Sequence, residues 1–156
     1  MNILVDSNIL LRIDHRNHPH NALALEAIRV VRAKGHTLRT IPQTLYEYWV
    51  VATRPVDVNG LGFSTEEANR FLDDHVALFP PFRDERGVLQ LWKVLVVEND
   101  VKGKPAHDAR IVAGMLKHGV SFILTFNEGD FQRYDEVTAV TPRGLLADDT
   151  LIPTVT

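Results

Sequence analysis

The sequence predicts an α/β fold built on a central parallel sheet. Two patterns carry that expectation. β-prone segments alternate with segments of helical periodicity, and the β-prone segments are apolar on both faces, as strands covered by helices on either side must be. The length of 156 residues suits one domain, residues 1–156, with a real core.

The elements follow in chain order. Residues 3–5 are a short apolar run ending in Asp6 and read as a buried strand. Residues 21–34 carry Leu23, Ala27, Val30 and Val31 at helical spacing, and Gly35 stops them. Residues 37–41 are β-prone. Pro42 suits a first helical turn, and residues 45–52 continue as an apolar-rich helix. Arg54-Pro55 ends that helix, and a loop through Asn59-Gly60-Leu61-Gly62 follows. Ser64-Thr65-Glu66-Glu67 reads as a capping box for a helix ending near His75. Residues 76–79 are expected as a short strand before Pro80-Pro81. Residues 85–98 form a helix, apolar at Val88, Leu91, Trp92 and Leu95. After a polar loop, residues 106–118 are helical, 120–126 are a strong strand and 137–140 a weaker one.

Bulk properties narrow the function classes. Hydrophobic residues make up 45% and charged residues 24%, values of an ordinary globular protein. No run of about 18 apolar residues is present, so a membrane span is not expected. The start of the chain lacks the basic and long apolar regions of a secretory signal, and the expected location is cytoplasmic. The absence of cysteine excludes disulfides and thiolate metal sites. A net charge of −3 does not point to a nucleic-acid binder, yet acids gathered around divalent cations would lower the charge of a nuclease in this way.

In open parallel sheets, ligands sit beyond the carboxyl ends of the strands. Four acids stand where such an edge would collect them. Asp6 ends the first strand, and Glu47 lies one to two turns into the helix after the second. Asp108 is in the first turn of the helix that precedes residues 120–126, and Asp130 follows that strand within a short loop. Gathered carboxylates repel and raise one another's pKa values, and a hard cation such as Mg²⁺ or Mn²⁺ removes that cost. Each acid also has a plainer reading. Asp6 suits a cap or turn, Asp108 a helix N-terminus, and Asp130 an ordinary acidic loop beside Glu128 and Asp135. Glu47 could be a solvated helix residue, but Leu45, Tyr46, Tyr48, Trp49 and Val50 imply a mostly buried helix in which it needs a partner.

Val5-Asp6-Ser7-Asn8, the segment from Pro42 to Glu47, His107-Asp108-Ala109-Arg110-Ile111-Val112-Ala113, and Leu124-Thr125-Phe126-Asn127 with Asp130-Phe131 together resemble the PIN domain family, in particular its VapC-type toxin ribonucleases. Arg54-Pro55 and Asn59-Gly60-Leu61-Gly62 resemble a subset of these toxins. The likeness spans nearly the whole chain. It implies a three-layer α/β/α fold with a central, mostly parallel sheet, and Mg²⁺- or Mn²⁺-dependent endonucleolytic hydrolysis of RNA by a metal-activated water. It makes Asp6 and Asp108 the principal metal ligands, with Glu47 completing the site or orienting the water. The fourth acid falls either at Asp130 or at the position held by Asn127. Ser7 and Thr125 would hold carboxylates in place. The same likeness implies a cognate antitoxin and a homodimer. The aromatic helix with Tyr46, Tyr48 and Trp49, and the helix with Leu91 and Trp92, offer interface material or core.

Arg12, Arg16, Lys102, Lys104 and Arg110 are the cations expected near the acids, as phosphate contacts or as ordinary surface charges. His107 adjoins Asp108, where a cap or surface role competes with proton transfer. His15, His18 and His20 show no organised pattern and are expected in solvent. The rival readings are a catalytically inactive PIN-like module that binds RNA or protein, and phosphotransfer on Asp6. The second is disfavoured because Asn8 stands where a dehalogenase-type phosphatase places a second aspartate.

Overall fold

The computed structural model describes residues 1–156. Four strands, β1 (Asn2–Val5), β2 (Thr37–Arg39), β3 (Phe122–Leu124) and β4 (Thr138–Val140), form a wholly parallel sheet in the order β2-β1-β3-β4. Seven helices surround it: α1 (Ser7–Asp14), α2 (Asn21–Ala33), α3 (Pro42–Thr53), α4 (Thr65–Leu78), α5 (Val88–Glu98), α6 (Ala106–Lys117) and α7 (Pro142–Ala147).

Side-chain alternation divides the core into two layers. Ile3 and Val5 of β1, with Leu124 of β3, join α1, α2, α3, α4 and α7 in one cluster. Leu4 and Ile123 point the other way, into a cluster with α5 and α6. This is the expected α/β/α arrangement. Chain direction across the sheet reverses at β1, whose neighbours are β2 on one side and β3 on the other. The adjacent carboxyl ends of β1 and β3 therefore form a topological switch point, where a crevice opens.

Two local expectations are corrected. Residues 76–78 are the last turn of α4, and Phe79 is its C-cap. Phe71, Leu72, His75 and Phe79 keep helical spacing toward the core, while Val76 and Leu78 are exposed, so no strand-like alternation survives. The capping box is present as expected: the Ser64 hydroxyl accepts from Glu67 N, and the Glu67 carboxylate accepts from Ser64 N. Helix α5 starts at Val88 rather than at residue 85, because Gly87 takes a left-handed φ of 86°. Helices α1 and α7 are further elements: Ser7 and Asn8 open α1, and Asp6 caps it, one of the two roles expected of it.

Candidate active site

Asp6 is 6% exposed at the end of β1. Three groups hold its carboxylate. Ser7 N donates to Oδ1 at 2.7 Å, while Thr125 Oγ1 at 2.7 Å and Asn8 Nδ2 at 3.2 Å donate to Oδ2. The Thr125 hydroxyl is itself fully used, since it also accepts from Asn8 Nδ2 and Asn127 N, each at 3.0 Å. The expected support by Thr125 is thus direct, and Asn8 reinforces it. Three hydrogen bonds on a carboxylate with about four lone-pair positions leave one position on Oδ1 free.

The other acids gather beside it. Ser7, Glu47, Asp108 and Asp130 line one cavity of about 630 Å³, together with Val50, Val51, Arg54, Lys104, Pro105 and His107. Burial lifts the Asp6 pKa from the usual 3.8 to about 6 against the pull of its hydrogen bonds, and the negative charges of Glu47 and Asp108 add to the rise. Asp108 also rises to about 6. Burial is again the main cause, followed by repulsion from Asp130 and Glu47 and partly offset by His107 and Arg133. The four acids therefore feel one another across the crevice. Asp130 is exposed on a short 3₁₀ turn, and its charge acts on Asp108. Asn127 is exposed and does not line the cavity.

Glu47 is half-buried, because α3 is buried on one side only: Tyr48 is in the core, while Tyr46 and Val50 are exposed. Its partners are Gln43 Nε2, which donates to Oε1 at 2.9 Å, and Ser7 Oγ, which donates to Oε2 at 3.4 Å. Gln43 was missed in the sequence. Its amide also donates to His107 O at 2.8 Å and its Oε1 accepts from Arg110 Nη1 at 2.9 Å, so it ties α3 to α6 beside the acids. The available signal was its spacing of four residues from Glu47 on one helix face.

The cations divide. Lys104 lines the cavity, as does Arg54, which the sequence reading did not single out as a cation. The following loop fixes Arg54: Gly62 N donates to Arg54 O at 2.9 Å, and a Cβ at Gly60 would lie 1.8 Å from that oxygen. Arg110 is engaged with Gln43 and lies 3.6 Å from Asp84. Lys102 pairs with Asp100 in solvent, Arg12 meets His15, and Arg16 is exposed. His107 is exposed on the cavity rim. Leu91 and Trp92 pack partly against the core, and Trp92 Nε1 donates to Ala106 O at 2.7 Å.

No group of three or more histidine, aspartate or glutamate side chains is close enough to hold a metal ion as it stands. The acids line an open cavity rather than close a coordination sphere. The donor set nevertheless fits a hard cation: all are carboxylate oxygens, Asp6 keeps a free position, and Asp6 and Asp108 carry the repulsion a cation would relieve. Mg²⁺ in particular binds through one or two carboxylates and keeps several waters.

The PIN domain family model matches residues 3–137. Solved structures with the same fold include the VapBC2 complex of Rickettsia felis bound to a promoter DNA fragment, at 16% identity and a TM-score of 0.64, covering 90% of this chain and 98% of that one. The Mycobacterium tuberculosis toxin VapC20 is 20% identical, with a TM-score of 0.63 and coverage of 87% and 98%. A toxin–antitoxin complex from Klebsiella pneumoniae is 21% identical, with a TM-score of 0.62 and coverage of 90% and 97%. No curated protein matches the sequence.

Proposed function

Because the chain belongs to the PIN domain family, we propose that it is a divalent-metal-dependent endoribonuclease, the toxin of a VapBC-type toxin–antitoxin pair. The supporting observation is the acid cavity: Glu47, Asp108 and Asp130 line it, and the charges of Glu47 and Asp108 add to the burial that raises neighbouring Asp6 to about 6. A binding module without catalysis leaves buried Asp6 and half-buried Asp108, whose charge adds to the rise at Asp6, without a purpose. The similar proteins support the toxin reading, since VapC20 is a sarcin–ricin loop cleaving toxin and the Klebsiella structure is a toxin–antitoxin complex.

Asp6 and Asp108 would hold Mg²⁺ or Mn²⁺, with Asp130 as a further oxygen donor and Glu47 either completing the site or orienting the water. Such an ion, when bound, supplies Lewis acidity toward a phosphate oxygen and a water. The chain's own side chains do the rest. Thr125, Asn8 and Ser7 fix the Asp6 carboxylate so that it needs no reorganisation. Gln43 pins Glu47 Oε1, and Oε2, which accepts only a long 3.4 Å bond from Ser7 Oγ, keeps a lone pair for a hydrogen of the attacking water. Arg54 and Lys104 bind flanking phosphates and hold the strand for in-line displacement of the 3′ oxygen. No histidine and no ribose 2′-hydroxyl is required.

The partners follow from the same reading. Tyr46 and Val50, exposed on α3 beside the cavity, would receive an antitoxin segment, while Leu89, Val94 and Val97, exposed on α5, would meet a second copy of the chain. No helix is long and apolar enough to cross a membrane, and a cytoplasmic site of action is part of the proposal.

The deciding experiment is Mn²⁺-stimulated RNA cleavage by Asp6→Asn and Asp108→Asn, with circular dichroism confirming that each stays folded. Both are expected to fall to background. Full activity in both overturns the metal-site assignment. An antitoxin-like reading frame is expected directly upstream; its absence removes the toxin reading and leaves the nuclease reading standing.

A further inference from the structure

The three histidines expected loose in solvent are organised. His15 and His18 have ring centroids 5.1 Å apart at 52°, and His18 and His20 lie 5.0 Å apart at 63°. His20 stacks on Phe126 at 4.6 Å and 13°. All four side chains are only partly buried. Only the last pair is parallel; the tilts at His15 and His18 leave ring faces uncovered by their neighbours.

Two side-chain contacts fix the chemistry of this row. Arg12 Nη1 lies 3.3 Å from His15 Nδ1, and His20 N donates to His18 Nδ1 at 3.0 Å. With Nδ1 accepting, the His15 and His18 rings carry their hydrogen on Nε2 when neutral. Partial burial, then the nearby charges of Arg12, His15 and His20, hold His18 below its usual range. The row is thus one of planar heteroaromatic rings.

Its position ties it to the acids. Phe126 directly follows Thr125, and Phe126 N donates to Asn8 Oδ1 at 3.0 Å. The amide of the same Asn8 donates to Asp6 Oδ2 at 3.2 Å. One side chain therefore spans the row and the acid site. None of the four rings lines the acid cavity, so the row extends beyond it along α1.

We propose that His15, His18, His20 and Phe126 form a nucleobase-stacking subsite outside the acid cavity, which takes the unpaired bases of a single-stranded RNA flanking the scissile phosphate. Base stacking on aromatic rings is tolerant of sequence and needs no charge. Arg12 and exposed Arg16 flank the row and suit the accompanying phosphates. The subsite rests on the ribonuclease reading above, and binding separates the two.

The test uses the full chain carrying Asp6→Asn and Asp108→Asn, which removes cleavage and two repelling charges. A short single-stranded RNA containing 2-aminopurine reports stacking by quenching. Quenching on binding is expected, with affinity about 10-fold weaker in an added His18→Ala and restored in His18→Phe, which keeps a stacking face. Undiminished affinity and quenching in His18→Ala overturn the subsite and leave the rings to a protein contact. Should His18→Ala unfold, His18→Phe decides: binding and quenching retained support stacking, and loss of both overturns it. His18-dependent quenching with no cleavage by the unmodified protein removes the nuclease reading and keeps the subsite.

Discussion

Thr125 Oγ1 donates to Asp6 Oδ2 at 2.7 Å and so joins the carboxyl ends of β3 and β1 across 119 residues of sequence. The buried hydroxyl does for Asp6 what solvent cannot. Thr125→Val keeps the shape and removes the donor, leaving one carboxylate oxygen short of a partner. A loss of about 10–100-fold in Mn²⁺ affinity or RNA cleavage is expected, with Thr125→Ser restoring most of it. Unchanged metal affinity in Thr125→Val would show that the bond serves folding alone.

The raised acids give a pH signature. Folded Asp6 holds its proton more tightly than the unfolded chain does, with a pKa of about 6 against 3.8. Its stabilising contribution is full below about 3.8 and is lost as pH rises through about 6. In chelator, the melting temperature of the unmodified protein should fall over that window more steeply than that of Asp6→Asn. Mn²⁺ should raise the melting temperature near pH 7.5 and have little effect near pH 5, where protons compete. Equal Mn²⁺ stabilisation at both pH values would contradict binding at these carboxylates.

Arg54 and Lys104 face the cavity as unpaired phosphate contacts would. Arg54→Ala and Lys104→Ala are each expected to raise KM several-fold with kcat nearly unchanged. Each should also reduce the salt slope of RNA binding by about 0.7. An unaltered slope would place both side chains off the RNA path.

Gln43 joins Glu47 to Arg110 and to the backbone of α6. Gln43→Leu keeps the volume and frees Glu47. A lower kcat with unchanged Mn²⁺ affinity is expected, because Glu47 then orients water poorly. A parallel fall in metal affinity would instead make Glu47 a metal ligand.

Away from the acids, Asp14 is buried between His75 Nε2, at 2.7 Å, and the Tyr48 hydroxyl, which donates to the same oxygen. His75 Nδ1 is buried with no partner. These contacts bind α1, α3 and α4 together. His75→Ala should cost about 3–5 kcal/mol by leaving a buried carboxylate short of its partner, and Tyr48→Phe about 1–3 kcal/mol, both read from urea unfolding. A cost below about 1 kcal/mol for His75→Ala would mean that water reaches Asp14 readily.

What could be read from the chain alone was local. Apolar runs at residues 3–5 and 120–126, helical spacing over 21–34 and 106–118, and the Ser64 capping box all concern residues within a few positions of one another. Asp6 and Glu47 were visible because each follows a strand end, and Asp108 because it opens the helix that leads back into β3. The run 76–79 misled because four apolar residues fit either period; the buried His75 contact kept it helical.

Tertiary structure decided the rest. It put Asp130 rather than Asn127 on the cavity, drew Arg110 into a network with Gln43, made Tyr48 a core residue beside exposed Tyr46, and stacked His20 on Phe126. Periodicity reports only which residues share a face. Which side chain on that face finds which partner depends on how distant segments pack: His20 and Phe126 are joined by the β1–β3 edge, and Asp14 and His75 by the docking of α4 on α1.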